Sequence, residues 1–255
     1  MTGQDTTEQG QRAAAMWRQD GYARTWAQQD SYKNLLEFPR EMAAVIVGED
    51  NPAPGTIVDI GSGPGDFLAV FLERFPSARG VWTDASEVML DLARQRLAPF
   101  GDRVEFRLVD MTALPADLAG AATVGGATAG EPGRADVITT SRAAHHLDRA
   151  GLFRFYADAA ARLAPGGWLI NLDHIGPAGP GDTWDQRLRT ARKQFGVVSE
   201  GAKHHHNYPL TSVDDHLQAF GAAGFTDVEV AWRAFFTCLF MGRKTGPETG
   251  RKTGR

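Results

Sequence analysis

The chain has 255 residues, a formal net charge of −4 and one cysteine, Cys238. This length is sufficient for one large domain with a sizeable core, and an apolar content of 42% excludes a disordered chain. The acidic balance argues against a general nucleic-acid binder, and a single cysteine cannot form an intramolecular disulfide, which indicates a reducing compartment. Because the chain has no apolar run of about 18 residues and no signal-like N-terminus, we expect a soluble cytoplasmic protein without a membrane span.

Strand and helix patterns alternate from about residue 55. Five short apolar runs are typical of buried strands: 56–60, 80–84, 104–110, 136–141 and 168–175. Three helical stripes lie between them: Leu68, Phe71, Leu72 and Phe75; Met89, Leu92, Ala93 and Leu97; and Leu152, Phe153, Tyr156, Ala160 and Leu163, with a stop at Pro165-Gly166-Gly167. This alternation predicts an α/β fold, a doubly wound parallel sheet with helices on both faces.

The end of the chain breaks the parallel pattern. Two further strand patterns, 226–232 and 235–242, are separated only by Arg233-Ala234. A connection this short allows only antiparallel pairing, so we expect an antiparallel C-terminal hairpin.

Other segments lie outside the alternation, within a single domain predicted over residues 1–243. Residues 1–50 are predicted to form a helical lid, and 116–134 a surface loop. Residues 176–224 are predicted to form a cap and a following helix. The apolar stripe of the cap helix (Trp184, Leu188, Ala191 and Phe195) is expected to face the core or a substrate. The tail, 244–255, is expected to be disordered.

The stretch "VDIGSGPGDF" (58–67) has glycines at alternate positions, Gly61, Gly63 and Gly65, directly after a strand. Such a turn lets backbone N–H groups approach a ligand closely. The dinucleotide fingerprint would have a third glycine where this chain has Asp66, and a carboxylate suits a pyrophosphate poorly. Together with Asp59, this residue favours a ligand that has a cationic group and no phosphate.

Carboxylates also follow the second and third strands. Asp84 ends the second strand, where a carboxylate can accept hydrogen bonds from the hydroxyls of a ribose. Asp110 follows the third strand and could accept a hydrogen bond from an exocyclic amine, while Met111 could pack on the ring. The alternative is that these aspartates only cap helices.

The motifs "VDIGSGPGDF", "TDAS", "LVDM", the Asp136 strand and "LAPGG" resemble, in this order, those of class I S-adenosylmethionine-dependent methyltransferases. The resemblance runs from about residue 40 to residue 243. It implies a doubly wound, seven-stranded, mostly parallel sheet whose last strand is antiparallel, and S-adenosylmethionine as the cofactor. It also implies a cofactor site, in which Asp59 and the glycines lie by the methionine portion, Asp84 by the ribose, and Asp110 with Met111 by the adenine. The implied site residues are Asp59, Gly61, Ser62, Gly63, Gly65, Asp84, Ala85, Asp110, Met111 and Ser141.

Two alternatives come from other functional classes. The first is a nicotinamide oxidoreductase, but a short-chain dehydrogenase would carry Tyr-x-x-x-Lys, and none of the four tyrosines has a lysine four residues on. The second is a methyltransferase-like domain that binds its cofactor without catalysing this reaction.

Methyl transfer to an alcohol, a phenol or a carbon acid needs a base. The best candidates are His145 and His146, after the fourth strand; the resemblance to oxygen-methylating enzymes places the catalytic histidine at His145. Helical geometry would point the two rings about 100° apart. Asp173 and His174, at the end of the fifth strand, are second candidates. The alternative is that these side chains cap a helix or fill the core.

The three adjacent histidines His204, His205 and His206 lack the spacing of metal ligands, so no metal site is predicted. The basic residues of the cap helix are interpreted as a solvated face, which leaves an acidic substrate or RNA as alternatives. We therefore expect a methyltransferase that acts on a small molecule, at oxygen. Nitrogen or carbon acceptors, and tRNA or protein substrates, are the alternatives.

Overall fold

The computed structural model describes residues 30–120, 133–176, 182–196 and 210–245. The helices in these ranges are α1 (Asp30–Asp50), α2 (Asp66–Arg74), α3 (Glu87–Leu97), α4 (Arg149–Arg162), α5 (Asp182–Gln194) and α6 (Val213–Ala222). The strands are β1 (Thr56–Ile60), β2 (Arg79–Asp84), β3 (Val104–Leu108), β4 (Ala135–Ser141), β5 (Leu163–His174), β6 (Phe225–Ala234) and β7 (Thr237–Lys244). Short 3₁₀ helices span Ala98–Arg103 and Ala144–His146.

The sheet has seven strands in the order β3-β2-β1-β4-β5-β7-β6. Strands β1 to β5 pair in parallel, whereas β7 runs antiparallel to both of its neighbours. The predicted fold class is confirmed, including the antiparallel hairpin. In this order successive strands are added in one direction from β1 to β3 and in the other direction from β4 onward, so the order reverses between β1 and β4. Ligands of open α/β sheets bind at such a point, beside the carboxyl ends of the strands.

One apolar cluster lies on each face of the sheet, between the strands and the helices. On one face α1, α2 and α3 pack on alternate strand residues such as Ile57 and Ile170. On the other face α4 and α6 pack on the intervening residues, such as Val58 and Leu169. Two-residue alternation along β1 and β5 therefore decides which side chains reach each face.

Three predicted boundaries are wrong. Helix α4 ends at Arg162, before the glycines, and Pro165-Gly166-Gly167 lies inside β5, where the pairing register with β4 shifts. The hairpin turn is at Phe235-Phe236, because β6 continues through Arg233-Ala234. Residue Lys244, assigned to the tail, ends β7, and its amine donates to the carbonyl of Ala160 (2.7 Å) at the end of α4.

The N-terminal and cap segments also differ from expectation. The described part of the lid, α1, buries Leu36, Ala43 and Val47 in the core cluster and is therefore part of the folded body. Helix α5 of the cap leaves Trp184 59% and Phe195 76% exposed, so these two members of its apolar stripe do not face the core. The other expectation, that the stripe faces a substrate, stays a prediction. Residues 1–29, most of the 116–134 loop and the rest of the tail lie outside the described residues.

Candidate active site

The turn between β1 and α2 needs its glycines for conformation and for space. Gly61, Gly63 and Gly65 all have positive φ, at 61°, 54° and 91°. A Cβ atom at Gly61 would lie 2.6 Å from the Cβ of Ala143, and one at Gly65 would lie 2.8 Å from a methyl group of Leu97. The first contact also shows that this turn touches the segment that follows β4, so the two parts of the predicted site are neighbours.

Asp59 is turned into the protein, where it braces the glycine turn. Its carboxylate accepts hydrogen bonds from the hydroxyls of Ser62 (2.5 Å) and Thr139 (2.8 Å), and the residue is 1% exposed. Burial raises the pKa of this carboxyl to about 6, although the two hydroxyl donors and nearby Arg40 oppose the shift. Asp59 therefore ties the turn to β4, and any contact with a ligand would be additional to these bonds.

Asp66, the other carboxylate of the turn, has cationic partners within the protein. Its oxygens lie 3.3 Å from Arg96 Nε and 3.8 Å from a terminal nitrogen of Arg40. The prediction that this carboxylate favours a cationic ligand therefore has a simpler account, since two arginines of the chain already balance its charge.

Asp84 connects the end of β2 to the glycine turn. Its two oxygens accept hydrogen bonds from the backbone N–H groups of Gly63 and Ser86, both at 2.9 Å. Burial raises the pKa of this carboxyl above its ordinary value, although the backbone donors oppose the shift. Each carboxylate oxygen can accept a second hydrogen bond, so a ligand diol can bind an already fixed Asp84. Ala85 follows directly and leads into the N-cap of α3 at Ser86.

Asp110, which follows β3, has hydrogen bonds to a residue close to it in the sequence. One oxygen of Asp110 accepts hydrogen bonds from the backbone N–H (2.8 Å) and the hydroxyl (2.7 Å) of Thr112, and the residue is exposed. Met111 is half-buried and packs against the apolar cluster of α4 and α6. Both residues lie at the same edge of the sheet as Asp84, as expected for neighbouring parallel strands.

Ser141 ends β4 at this edge. Its hydroxyl oxygen is buried and has no hydrogen-bond partner among the described residues. Since a buried polar atom without a partner is costly, a ligand atom is a natural acceptor or donor for it. The glycine turn, Asp84 and Ser141 thus fit a nucleoside with an amino-acid portion, as the resemblance requires.

His145 and Asp173 form a buried pair between the ends of β4 and β5. The Nδ1 atom of His145 lies 2.6 Å from one oxygen of Asp173, and the backbone N–H of His145 donates to the other (2.8 Å). Neither side chain has exposed surface. Burial raises the pKa of Asp173, while its histidine neighbours and two backbone donors lower it. A carboxylate at Nδ1 fixes the tautomer and orients Nε2 as a base, so this pair can accept a proton.

The neighbouring histidines cluster around this pair. The ring centroid of His145 lies 4.1 Å from that of His146 and 5.1 Å from that of His174, and the backbone N–H of His174 donates to Asp173 (2.7 Å). The expected separation of the His145 and His146 rings is therefore wrong: residues 144–146 form a 3₁₀ turn, and the rings are in contact.

A second polar cluster, which the sequence did not indicate, is buried behind Asp173. The hydroxyl of Tyr156 accepts a hydrogen bond from Asn171 Nδ2 (3.0 Å) and lies 2.8 Å from His216 Nδ1, while His216 Nε2 lies 3.0 Å from the hydroxyl of Thr211. Burial lowers the pKa of His216 to about 4, so the imidazole is neutral. Sequence patterns treated Tyr156 as an apolar stripe residue; polar residues at core positions of α4, β5 and α6 were the available signal.

No group of three or more histidine, cysteine or acidic residues in the described ranges could hold a metal ion. The predicted loop histidines, His204, His205 and His206, lie outside those ranges. Among the described helices, none is long and apolar enough to cross a membrane.

Comparisons with known proteins agree with this geometry. Residues 57–167 match the family model of a methyltransferase domain. Trans-aconitate 2-methyltransferase of Azoarcus sp. (strain BH72) is 36% identical over 89 residues, which are 35% of this chain and 34% of that protein. The 3-amino-4-hydroxybenzoate 4-O-methyltransferase of Streptomyces cremeus is 30% identical over 131 residues, or 51% of this chain and 32% of that protein. The alignments thus span about a third of each of these curated relatives.

Among solved structures, an O-methyltransferase family protein from Burkholderia thailandensis has the same fold, with a TM-score of 0.60 at 20% identity. The match covers 91% of this chain and 64% of that one. The family match includes the glycine turn, Asp84 and the histidine segment, and the sheet order extends the likeness to the C-terminal hairpin. Residues 57–167 are therefore similar to a methyltransferase domain, and the whole sheet has the fold of the solved methyltransferase structure.

Proposed function

We propose that this protein transfers the methyl group of S-adenosylmethionine to a hydroxyl oxygen of a small molecule, with His145 as the base. The observation that carries the proposal is the His145–Asp173 pair, which lies beside the glycine turn through the contact between Gly61 and Ala143. A neutral amine has a lone pair and can attack without first losing a proton, whereas an alcohol or phenol must give up its hydroxyl proton.

The cofactor-binding part of the proposal assigns one portion of the ligand to each strand end. The turn at Gly61–Gly65 would hold the methionine portion, Asp84 the ribose hydroxyls, and Asp110 with Met111 the adenine. The hydroxyl of Ser141, which has no partner among the described residues, supports a ligand at the end of β4. Bound S-adenosylmethionine would supply a methyl group on a sulfonium sulfur, with a neutral thioether as the leaving group.

We call the glycine turn with Asp84, Asp110, Met111 and Ser141 the cofactor half of the site, and His145, Asp173 and the neighbouring histidines the acceptor half. The residues of the acceptor half would then carry the proton of the acceptor hydroxyl. With Nδ1–H donated to Asp173, the Nε2 atom of His145 takes the hydroxyl proton as the oxygen attacks, and the buried carboxylate stabilises the imidazolium that forms. Because His145 has no exposed surface, water is kept from the base, and neighbouring groups must move before an acceptor reaches Nε2. Positioning of the two reactants supplies the rest of the rate enhancement.

The relative from Streptomyces cremeus is named for 4-O-methylation of an aromatic carboxylic acid, and the relative from Azoarcus is named for an aliphatic one. Hydroxylated carboxylic acids are therefore the first acceptors to test. The protein would be incubated with S-adenosylmethionine and a panel of hydroxyl, amine and carbon-acid acceptors, and methylated products identified by mass spectrometry. We expect wild type to methylate oxygen, and His145→Ala to do so at no more than about a hundredth of that rate. Products methylated only at nitrogen, with equal rates in both proteins, would contradict the proposal.

A further inference from the structure

Two buried polar side chains lie next to each other on the face of the sheet that α4 and α6 cover. Thr140 of β4 and Asn171 of β5 are register partners in this parallel pair, and the alternation of both strands directs their side chains to that face. Both residues are fully buried. The hydroxyl of Thr140 and Oδ1 of Asn171 have no hydrogen-bond partner in the described ranges. A buried polar atom without a partner is costly, so a group that reaches both atoms would stabilise the fold.

The polar cluster behind Asp173 decides which atom of Asn171 lacks a partner. Nδ2 of Asn171 donates to the hydroxyl of Tyr156 (3.0 Å), and this hydroxyl lies 2.8 Å from His216 Nδ1. Burial lowers the pKa of His216 to about 4, so its ring is neutral near pH 7 and Nδ1 can accept the tyrosine proton. The Tyr156 hydroxyl therefore already has a donor and an acceptor, and Oδ1 of Asn171 needs a donor from elsewhere.

Asp173 lies beside these two residues and can accept one further hydrogen bond. It is two residues beyond Asn171 on β5, so both side chains leave the same face of the sheet. Its Oδ1 atom has two partners, the ring of His145 and the backbone N–H of His174. Its Oδ2 atom accepts one bond among the described residues, from the backbone N–H of His145. Since a carboxylate oxygen can accept two bonds, Oδ2 has room for a second donor.

One small molecule matches these three atoms. A water molecule can accept a hydrogen bond from the Thr140 hydroxyl and donate its two protons to Asn171 Oδ1 and Asp173 Oδ2. Buried waters typically make about three such bonds to polar groups that the protein leaves unpaired. We infer that Thr140 and Asn171 bind a buried water molecule that donates to Asp173, and that both are positioning residues for the His145–Asp173 pair. The positioning role rests on the proposed function, because it requires His145 to act as the base.

The bound water affects the charge of Asp173. Burial favours the neutral acid at this position, whereas a hydrogen bond donated to the carboxylate favours its charged form. The water therefore helps to keep the negative charge that stabilises the imidazolium of His145. The other ionisable groups around Asp173 are His145 and His146 after β4, His174 of β5, Tyr156 of α4, His216 of α6 and Cys238 of β7. Burial raises the pKa of Tyr156 and of Cys238 and lowers that of His216, so these three are neutral near pH 7.

Two substitutions of Thr140 separate its hydroxyl from its packing. Thr140→Val keeps the shape of the side chain and removes the hydroxyl, whereas Thr140→Ser keeps the hydroxyl and removes a methyl group. Crystal structures at a resolution that reveals ordered water should show a water molecule bonded to Asn171 Oδ1 and Asp173 Oδ2 in wild type and in Thr140→Ser. Thr140→Val should lose it. Absence of this water from wild type, or its full retention in Thr140→Val, would overturn the inference, and the wild-type result needs no variant to fold.

The pH dependence of turnover tests the positioning role. Without the water, the pKa of Asp173 should rise, so the His145–Asp173 pair takes up a proton at higher pH. The acid limb of the turnover profile should therefore move up by about one pH unit in Thr140→Val, while the acceptor KM and the affinity for S-adenosylhomocysteine change little. Thr140→Ser should restore the wild-type limb. An unmoved limb in Thr140→Val, or an equal shift in both variants, would overturn the positioning role. Full turnover in His145→Ala would instead refute the proposed function, while the crystal structures still decide whether the water is bound.

Discussion

Two aspartates occupy equivalent positions in the sheet and have different partners. Asp59 and Asp173 are each the second-last residue of a parallel strand, β1 and β5, and both are buried. Desolvation raises the pKa of both carboxyls. However, Asp59 accepts hydrogen bonds from two hydroxyls, whereas Asp173 is bonded to the imidazole of His145 and to backbone N–H groups.

The difference shows how one backbone position can serve two purposes. The hydroxyls of Ser62 and Thr139 do not change protonation state near neutral pH, so their bonds to Asp59 hold the glycine turn and β4 together. A carboxylate bonded to an imidazole supports a group that can take up a proton in that range. We therefore assign Asp59 to the architecture of the cofactor half and Asp173 to the proposed chemistry of the acceptor half.

The sharpest test of this distinction is His145→Ala. Removal of the proposed base should lower turnover of a hydroxyl acceptor on the order of 10²–10⁴-fold, and the affinity for S-adenosylhomocysteine should barely change because the glycine turn and Asp84 are untouched. Turnover is followed by product formation and affinity by calorimetry. His146→Ala is the control and should affect turnover much less. Full activity of His145→Ala would move the search for a base to His174.

The pH dependence of stability tests the desolvation of Asp59. Its pKa of about 6 in the folded protein exceeds the ordinary value of 3.8, so the native state binds the proton more tightly than the unfolded chain does. The stabilisation from protonated Asp59 is therefore complete below pH 3.8 and is lost as the pH rises through 6. Between pH 4 and 7 the unfolding free energy of wild type should fall relative to that of Asp59→Asn, by on the order of 3 kcal/mol.

Urea unfolding of both proteins at several pH values provides this difference, since the other titrating groups contribute equally to each. Parallel pH profiles would show that burial does not raise the pKa of Asp59 in the folded protein. A result of the opposite sign would mean that the two hydroxyls and Arg40 outweigh desolvation.

The sequence predicted which residues lie at the strand ends better than it predicted how they pair, for a physical reason. The glycines, Asp84 and Asp110 act through local geometry: each follows a strand, and parallel strands bring their ends to one edge. The pairing of His145 with Asp173 joins residues 28 positions apart, and the pattern of neither segment specifies it.

Turn chemistry explains another error. Phe235 adopts a φ of 52° at the hairpin turn, a conformation that rarely suits an aromatic residue, and Phe236 follows it. Aromatic residues are typical of strands, so this pair was assigned to the second strand and the turn was placed two residues too early. Tertiary contacts of the hairpin tip, including those of Phe235 with Phe195 and of Phe236 with Arg189, override that preference.

Asp84 offers an intermediate case between the two buried aspartates, because it braces the turn and is also proposed to contact the ligand. Asp84→Ala should weaken the binding of S-adenosylhomocysteine at least tenfold, or about 1.4 kcal/mol. The loss would come from the ribose hydrogen bonds and from the missing acceptor for the Gly63 N–H. Asp110→Ala is the matched control at the next strand end and should cost less, because Asp110 is exposed and bonds only locally, to Thr112. Equal losses in the two variants, measured by calorimetry, would remove the special role of Asp84. Tighter binding of NAD than of S-adenosylhomocysteine by wild type would remove the cofactor assignment.

The smallest expected effect lies on α5, at the surface of the acceptor half. Phe195 is 76% exposed and contacts Phe235 at a ring-centroid distance of 5.9 Å, so Phe195→Ala removes little buried apolar area. Its unfolding free energy should change by no more than about 0.5 kcal/mol, as is usual for surface substitutions. Phe71→Ala in α2, where the ring is fully buried in the core cluster, should instead cost about 3–5 kcal/mol. Chemical denaturation of both variants measures the two losses of unfolding free energy, one in the buried core beside the glycine turn and one on an exposed face of the cap helix. A loss above about 2 kcal/mol in Phe195→Ala would show that this face of α5 is covered in solution, and the same measurement at several protein concentrations would then distinguish a covering segment of the same chain from a second copy.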